Sequence, residues 1–213
     1  TNSVTEIYFN KENTPIVDLR DIAKIKGGKR LPKGKKLQTK KTNFPYIRVL
    51  DFTDYGTINE NSVKYITEEI HKEISNYKIS SKDVYVSIAG TIGKTGVVPH
   101  SLNNANLTEN AAKIVLNQEC DRDFFYFFTT STSFKQQVIT QTRTTAQPKL
   151  ALERLGSIQI PIHSRDKQLR IVLKVQKIKG YIEEIEKLLT RKSEEISSLK
   201  NSILKHELKN ITA

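Results

Sequence analysis

The chain has 213 residues, of which 37% are hydrophobic, and 35 Lys and Arg against 23 Asp and Glu give a net charge of +12. No run approaches the roughly 18 to 20 apolar residues of a membrane-spanning helix, and the polar first ten residues lack a secretory signal, so we expect a cytoplasmic protein without membrane contact. The single cysteine, Cys120, excludes an intrachain disulfide and a cysteine-rich zinc site and is expected to be a buried thiol.

The basic residues are concentrated near the start of the chain. Residues 22–50 contain ten Lys and Arg side chains and no Asp or Glu. Such a charge run is typical of a solvated loop, but it also attracts polyanions, because Lys and Arg that neutralise phosphates release condensed counterions. Charge alone does not decide between these interpretations, and both stay open at this point.

Short apolar or alternating runs follow, separated by Gly, Asn and Pro. The runs at 46–50, 83–89, 95–98 and 112–116 predict strands. The aromatic segment 123–138 predicts one helix packed on the sheet, with its rings at 124–128 in the core and not stacked on bases. Together these elements predict an α+β fold, in which a globular domain contains a mixed or antiparallel sheet.

Residues 90–95, with the sequence GTIGKT, partly match a phosphate-binding loop. The first glycine of that motif would fall at Ile88, and a strand-like segment follows in place of the required helix, so the match fails. We predict instead a tight glycine turn that presents Thr91 and Lys94. Such a turn leaves its backbone amides and Lys94 available to a DNA phosphate.

The pattern changes near Pro161, and we expect a globular domain over 1–163 and a long helix over 164–213. Residues 167–210 as one helix would measure roughly 66 Å, too long for the core of a domain of this size. Apolar residues alternate at steps of four and three, interrupted at Lys192, which predicts a coiled-coil seam. The seam consists of Ile171, Val175, Ile178, Ile182, Ile185, Leu189, Ile196, Leu199 and Ile203. By itself it is equally typical of a generic dimerisation coiled coil.

Catalytic and cofactor motifs are not recognisable in the sequence. The four histidines, at 71, 100, 163 and 206, are scattered and have no carboxylate or cysteine at metal-ligand spacing. A hydrolase nucleophile motif and a dinucleotide fingerprint are also missing. We therefore expect a non-catalytic protein that holds no metal and no cofactor.

Five segments, taken in order, resemble landmarks of one protein family. They are residues 17–29, 44–52, 83–94, 106–112 and, as one passage into the long helix, 147–150 with 155–162, and Gln168 follows near the start of that helix. In this order they are similar to the specificity subunits of Type I restriction-modification systems. Family members usually contain two recognition domains and two antiparallel helices, whereas this sequence shows one of each. It therefore resembles a half-length form, either a natural half-subunit that dimerises or a piece of a longer subunit.

The resemblance implies a function and a set of partners. The domain would read one half of a bipartite site in double-stranded DNA, palindromic if two copies pair through an antiparallel coiled coil. The helices would dock modification subunits, which use S-adenosylmethionine to methylate adenine, and restriction subunits, which consume ATP. Two alternatives remain. One is a coiled-coil assembly protein whose basic domain binds an acidic protein, and the other is a self-contained restriction or modification enzyme, which requires a catalytic motif not found here.

Candidate DNA-binding residues follow from the chemistry of base edges and phosphates. Base reading needs paired donors or acceptors on loops that face a groove. The candidate base-reading residues are Lys29, Arg30, Arg48, Arg143, Thr144, Thr145 and Gln147. The candidate phosphate contacts are Lys33, Lys35, Lys36, Lys94 and Lys149, and Thr91 in the glycine turn is a further candidate DNA-binding residue.

Overall fold

A computed structural model of the chain describes Tyr8 and Phe9, residues 14–142 and residues 148–211, with side chains up to residue 204. The chain divides into two compact units, Thr1–Val172 and Leu173–Ala213. The first unit contains both strands and helices, and the second is helical. The predicted α+β fold class with a long C-terminal helix is therefore confirmed.

The strands of the first unit form small sheets. One antiparallel sheet contains, in spatial order, β2 (Ala23–Gly27), β9 (Ala111–Leu116), β6 (Val84–Ser87) and β7 (Thr95–Val97). A second sheet contains β4 (Lys64–Tyr65), β3 (Pro45–Ile47), β8 (Ala105–Leu107) and β5 (Lys78–Ile79), and its β3–β8 pair is parallel. The strands β1 (Ile16–Asp18) and β10 (Gln159–Pro161) pair with each other. The sheets are thus antiparallel and mixed, as predicted.

Helices connect and cover these sheets. The α-helices are α1 (Leu19–Ile22), α2 (Glu68–Glu73), α3 (Arg122–Thr129), α4 (Thr132–Gln141), α5 (Leu152–Gly156) and α6 (Arg165–Ile211), and 3-10 turns span Val49–Asp51 and His100–Leu102. The predicted single helix over 123–138 is wrong, because α3 ends at Thr129 and α4 begins after Ser131. Ser131 caps α4 by accepting a hydrogen bond from the Phe134 N–H, which starts a new helix in place of continuing the old one.

The predicted strand over 46–50 is also too long. Strand β3 ends at Ile47, and a 3-10 turn follows. The buried carboxylate of Asp51 accepts a hydrogen bond from the Arg48 N–H at 2.8 Å, so the backbone turns where the apolar pattern predicted an extended segment.

The core of the first unit is rich in aromatic side chains. In α3, Phe124, Phe125, Phe127 and Phe128 are buried, which confirms the prediction that this run fills a core. Phe128 meets Phe134 of α4 edge to face, with ring centroids 5.7 Å apart. In the sheet region, the Tyr85 ring stacks on Phe52 with centroids 3.9 Å apart. Aromatic side chains therefore contribute to the packed core in the helices and in the sheet region of this unit.

The start of α6 is fastened within the first unit by Gln168, which is completely buried. The Gln168 amide nitrogen donates to the carbonyl oxygens of Glu119 and His163, each at 2.7 Å. Its amide oxygen accepts from the Asp121 N–H at 2.7 Å. Since all three partners are backbone groups, the contacts fix the first turns of α6 to the loop before α3.

Helix α6 agrees with the predicted helix over 167–210 to within two residues at each end. Of the seam residues, Ile171 and Val175 are buried, and Ile178 and Ile182 are partly buried. The others are exposed: Ile185, Leu189, Ile196, Leu199 and Ile203. Within the residues described, no helix is long and apolar enough to span a membrane.

Candidate nucleic-acid interface

The basic loop after β2 begins from a fixed backbone. Gly28 N–H donates to the Ala111 carbonyl at 2.9 Å, and Lys29 N–H donates to the Leu107 carbonyl at 2.8 Å. Gly28 also lies close to the end of β8, so a β-carbon at this position would clash with the carbonyl oxygens of Leu107 and Thr108. The Tyr46 hydroxyl also donates to the Lys29 carbonyl. The backbone that carries the first cations of the loop is therefore fixed by hydrogen bonds.

Arg30 is held by a carboxylate from a distant part of the sequence. Its Nε–H donates to Glu109 Oε1 at 2.7 Å, and the Thr108 hydroxyl donates to Glu109 Oε2 at 2.9 Å. Burial acts to raise the pKa of Glu109, but the hydrogen bonds from Arg30 and Thr108 outweigh it, so the pKa lies below the ordinary value for Glu. Glu109 is consequently a stable anionic support for an exposed guanidinium.

The other cations of the basic loop lie at its surface. Lys29 Nζ is 5.6 Å from the centroid of the Tyr77 ring, at cation–π distance. Lys35 Nζ forms an ion pair with Glu69 at 2.8 Å, in which both side chains are exposed. Lys33 and Lys36 are exposed. This loop can therefore offer several positive charges to a polyanion.

The glycine turn between β6 and β7 has the predicted tight geometry. Gly90 and Gly93 both have positive φ, at 74° and 86°. Inside the turn, the Ser87 hydroxyl donates to the Thr91 carbonyl, and the Ser87 hydroxyl oxygen accepts from the Lys94 N–H. Thr91 is exposed, whereas Lys94 is partly buried and its Nζ pairs with Asp54 at 2.7 Å.

Lys149 and Glu109 line the same cleft. The chain reaches Lys149 through a β-bridge to Ala89, and the next N–H, that of Leu150, donates to the Ile88 carbonyl at 2.9 Å. The cleft has a volume of about 640 Å³ and is lined by Gly27, Gly28, Ile88, Glu109 and residues 149–154. Lys149 is exposed at its edge. The fold thus brings the Arg30–Glu109 pair and Lys149 to one place, although they are far apart in sequence.

Arg48 has a different environment from the other candidates. Its Nε and Nη2 donate to the two oxygens of the buried Asp51 carboxylate at 3.1 and 2.7 Å. Nη2 also donates to the Ser62 carbonyl at 2.8 Å. These contacts favour a structural role for Arg48 over base reading, since a buried carboxylate needs its partner. The remaining candidates, Arg143, Thr144, Thr145 and Gln147, lie outside the described residues.

Sequence reasoning identified the cations but missed their partners Glu109, Glu69, Asp54 and Tyr77. Glu109 could have been noticed, because it is the one acidic residue between Asp83 and Glu119. It also lies two residues after a buried strand. Glu69 and Asp54 carry no comparable signal, since exposed acids are common.

The cysteine and one of the histidines lie in environments that suit a structural role. Burial raises the pKa of the Cys120 thiol to about 12, and Asp121 adds to this effect. His71 Nδ1 lies 2.7 Å from Asn106 Oδ1. The described residues contain no cluster of three or more His, Cys, Asp or Glu that could hold a metal ion.

Residues 11–197 match the family of the Type I restriction modification DNA specificity domain, and the chain belongs to this family. The resemblance predicted from the ordered motifs is therefore confirmed. The chain is 28% identical over 165 residues to the Type I restriction enzyme EcoBI specificity subunit of Escherichia coli. This alignment covers 77% of the chain and 34% of the relative.

Solved structures show the same fold at low sequence identity. One is a chain from a study of complex assembly and conformational transition of the type I R-M system, with a TM-score of 0.75, 14% identity, and coverage of 95% of this chain and 49% of that one. Another is the HsdS subunit from Thermoanaerobacter tengcongensis, with a TM-score of 0.62, 14% identity, and coverage of 87% and 44%. The chain thus spans about a third of the curated relative and about half of these structures.

Proposed function

We propose that the chain is a non-catalytic DNA-recognition subunit that reads one half of a bipartite, palindromic site for a Type I restriction-modification complex in the cytoplasm. The observation that carries this proposal is the basic loop after β2, whose exposed cations start from a backbone fixed by hydrogen bonds to Leu107 and Ala111. Positive charge supplies affinity for phosphates. A rigid backbone beneath the loop holds its side chains in the fixed positions that the reading of nucleotide bases requires.

The proposed division of labour places recognition in residues 1–163 and assembly in residues 164–213. Two copies would pair through an antiparallel coiled coil, which would place identical recognition domains on the two halves of the site. The exposed apolar residues of α6 support this, because Ile185, Leu189 and Ile196 are left to water in the single chain. The same helices would dock modification and restriction subunits, which supply S-adenosylmethionine and ATP chemistry.

Binding to duplex DNA in the presence of a modification subunit tests the proposal. If Lys33, Lys35, Lys36, Lys94 and Lys149 all contact phosphates, the logarithm of the association constant should fall with the logarithm of salt concentration at a slope of roughly −4 to −5 per half-site. Each Lys→Ala change should reduce the slope by about one. Equal affinity for all duplex sequences would contradict the proposal and favour an assembly protein with an acidic protein partner.

The seam is tested separately by self-association. Ile196→Glu places a charge on the exposed apolar stripe of α6, and sedimentation should then show a shift from dimer to monomer. Asn201→Glu, which places the same charge on the exposed face opposite the seam, is the matched control and should leave the dimer intact. A dimer that survives the Ile196 change would contradict pairing through this seam.

A further inference from the structure

We propose that Arg30 reads a guanine in the major groove and that Glu109 is the residue that positions it. This inference rests on the proposed DNA-recognition function and adds the identity of one base. It depends on the arrangement of charge and burial in the Arg30–Glu109 pair, which differs from that of the other ion pairs formed by the candidate residues.

The carboxylate of this pair is the sheltered partner and the cation is the exposed one. The side chain of Glu109 is 27% exposed, whereas that of Arg30 is 79% exposed. In the Lys94–Asp54 pair the order is reversed, with 25% exposure for the cation and 90% for the acid. Arg48–Asp51 is sheltered on both sides. Of these three pairs, Arg30–Glu109 is the one in which a sheltered carboxylate holds an arginine whose guanidinium is exposed to solvent.

Both members of the pair are held in place before any ligand binds. Glu109 follows Thr108, whose N–H donates to the Ile47 carbonyl at 3.0 Å and whose hydroxyl donates to the Glu109 carboxylate. Arg30 follows Gly28 and Lys29, whose N–H groups are bonded to the neighbouring strands. A long flexible side chain that is already oriented loses less conformational entropy when it meets a base.

The hydrogen bond leaves the end of the guanidinium for a ligand. Glu109 engages Arg30 through its Nε–H, so the two terminal nitrogens keep their donors for another partner. Guanine presents two acceptors, O6 and N7, on its major-groove edge, and paired Arg donors match them. Adenine and cytosine present an amino donor on that edge, which an arginine cannot accept from.

The charge of the pair favours a base over a phosphate. The exposed carboxylates of Asp54 and Glu69 can turn to water when their lysines meet a phosphate, whereas the sheltered Glu109 stays beside Arg30. Arg30 and Glu109 together carry no net charge, and a carboxylate next to a phosphate is repelled. A phosphate contact would therefore gain little at this position, while Lys33 and Lys36, which are exposed in the same basic loop, suit that purpose. What the pair offers is the direction of its hydrogen bonds, which is the property that distinguishes bases.

Selection from a randomised duplex library tests the inference, using the full chain in complex with a modification subunit. The wild type should enrich a motif that contains a G·C pair. Arg30→Ala should lose roughly 10- to 100-fold of the preference at that one pair and keep the rest of the motif. Glu109→Ala should weaken the preference at the same pair, and Glu109→Gln, which keeps an acceptor for Nε–H, should restore part of it.

Two controls separate base reading from a general loss of binding. Lys33→Ala should lower affinity for all sequences evenly and leave the motif unchanged. Replacing the identified guanine by 7-deazaguanine removes the N7 acceptor, so it should weaken wild-type binding by about 10-fold and leave Arg30→Ala binding unaffected. An unchanged motif in Arg30→Ala overturns the inference alone. A wild-type selection that enriches no motif overturns the proposed function and this inference together.

Discussion

Replacement of Gln168 by alanine tests how the start of the long helix is fastened within the first unit. The buried amide makes hydrogen bonds of 2.7 Å with Glu119, Asp121 and His163, all through their backbones. Alanine would leave three backbone groups without this partner. At about 1 to 1.5 kcal/mol for each, the free energy of unfolding should fall by roughly 3 to 4.5 kcal/mol.

Urea denaturation of the full chain measures this loss. With a slope of about 2 kcal/mol per molar urea, the midpoint should fall by roughly 1.5 to 2.3 M. Gln137→Ala is the matched control, because Gln137 also makes two backbone hydrogen bonds, with the N–H and carbonyl of Gln159, but in an exposed position. Its midpoint should change by less than about 0.5 M, since water replaces the lost partner.

The comparison of the two glutamine variants decides the matter. If Gln168→Ala unfolds at the same urea concentration as Gln137→Ala, the buried amide does not fasten the helix, and the burial argument is refuted. An unchanged denaturation slope is required for this reading, because a change in slope indicates a change in the surface exposed on unfolding.

Three further predictions concern the glycines at 28 and 180, the Cys120 thiol and the ionisation of Glu109. Gly28→Ala should lower the free energy of unfolding by about 2 kcal/mol or more, because its β-carbon would clash with the Leu107 and Thr108 carbonyls. Gly180→Ala should raise the free energy of unfolding by up to about 1 kcal/mol, because Gly180 lies in a helix with open space around it. Urea midpoints that move in the same direction for both variants contradict this expectation. The Cys120 thiol, with its pKa raised to about 12, should resist a thiol reagent at pH 8 until the chain is unfolded, and rapid labelling of the native protein would refute its burial. The lowered pKa of Glu109 means that its ionised form stabilises the fold above the unfolded-state pKa, about 4.3, and that this contribution is lost as the pH falls through the folded-state pKa. The stability difference between wild type and Glu109→Gln should therefore be constant from pH 8 to 5 and change below about pH 4; a difference that varies between pH 8 and 6 would contradict this assignment.

Local patterns predicted the elements whose signal lies within a few residues. The largely apolar run at 112–116 identified strand β9, and the apolar spacing after residue 164 identified α6. The break between α3 and α4 was missed although residues 129–133 are all Thr or Ser, residue types that favour the start of a new helix over the continuation of one. Its cause, a hydrogen bond from Phe134 N–H to the Ser131 hydroxyl, becomes visible only in the structure.

Contacts between distant residues could not be predicted. Arg30 and Glu109 are separated by 79 positions, and a single sequence gives no reason to pair this arginine with that acid. The Arg48–Asp51 pair, three residues apart, was within reach of sequence reasoning, because a carboxylate so close to an arginine is a natural partner. Charge therefore identified which segment is basic, but packing determines what each cation can do.

The pairing of β1 with β10 has a consequence for how specificity can change. Residues 16–18 and 159–161 lie side by side, in a register that aligns Ile16 with Pro161. A segment whose two ends meet can be replaced as a cassette by recombination, since the junctions stay in place whatever lies between them. Under the proposed function, a new recognition sequence could be acquired by one such exchange, and the assembly helix would be inherited unchanged.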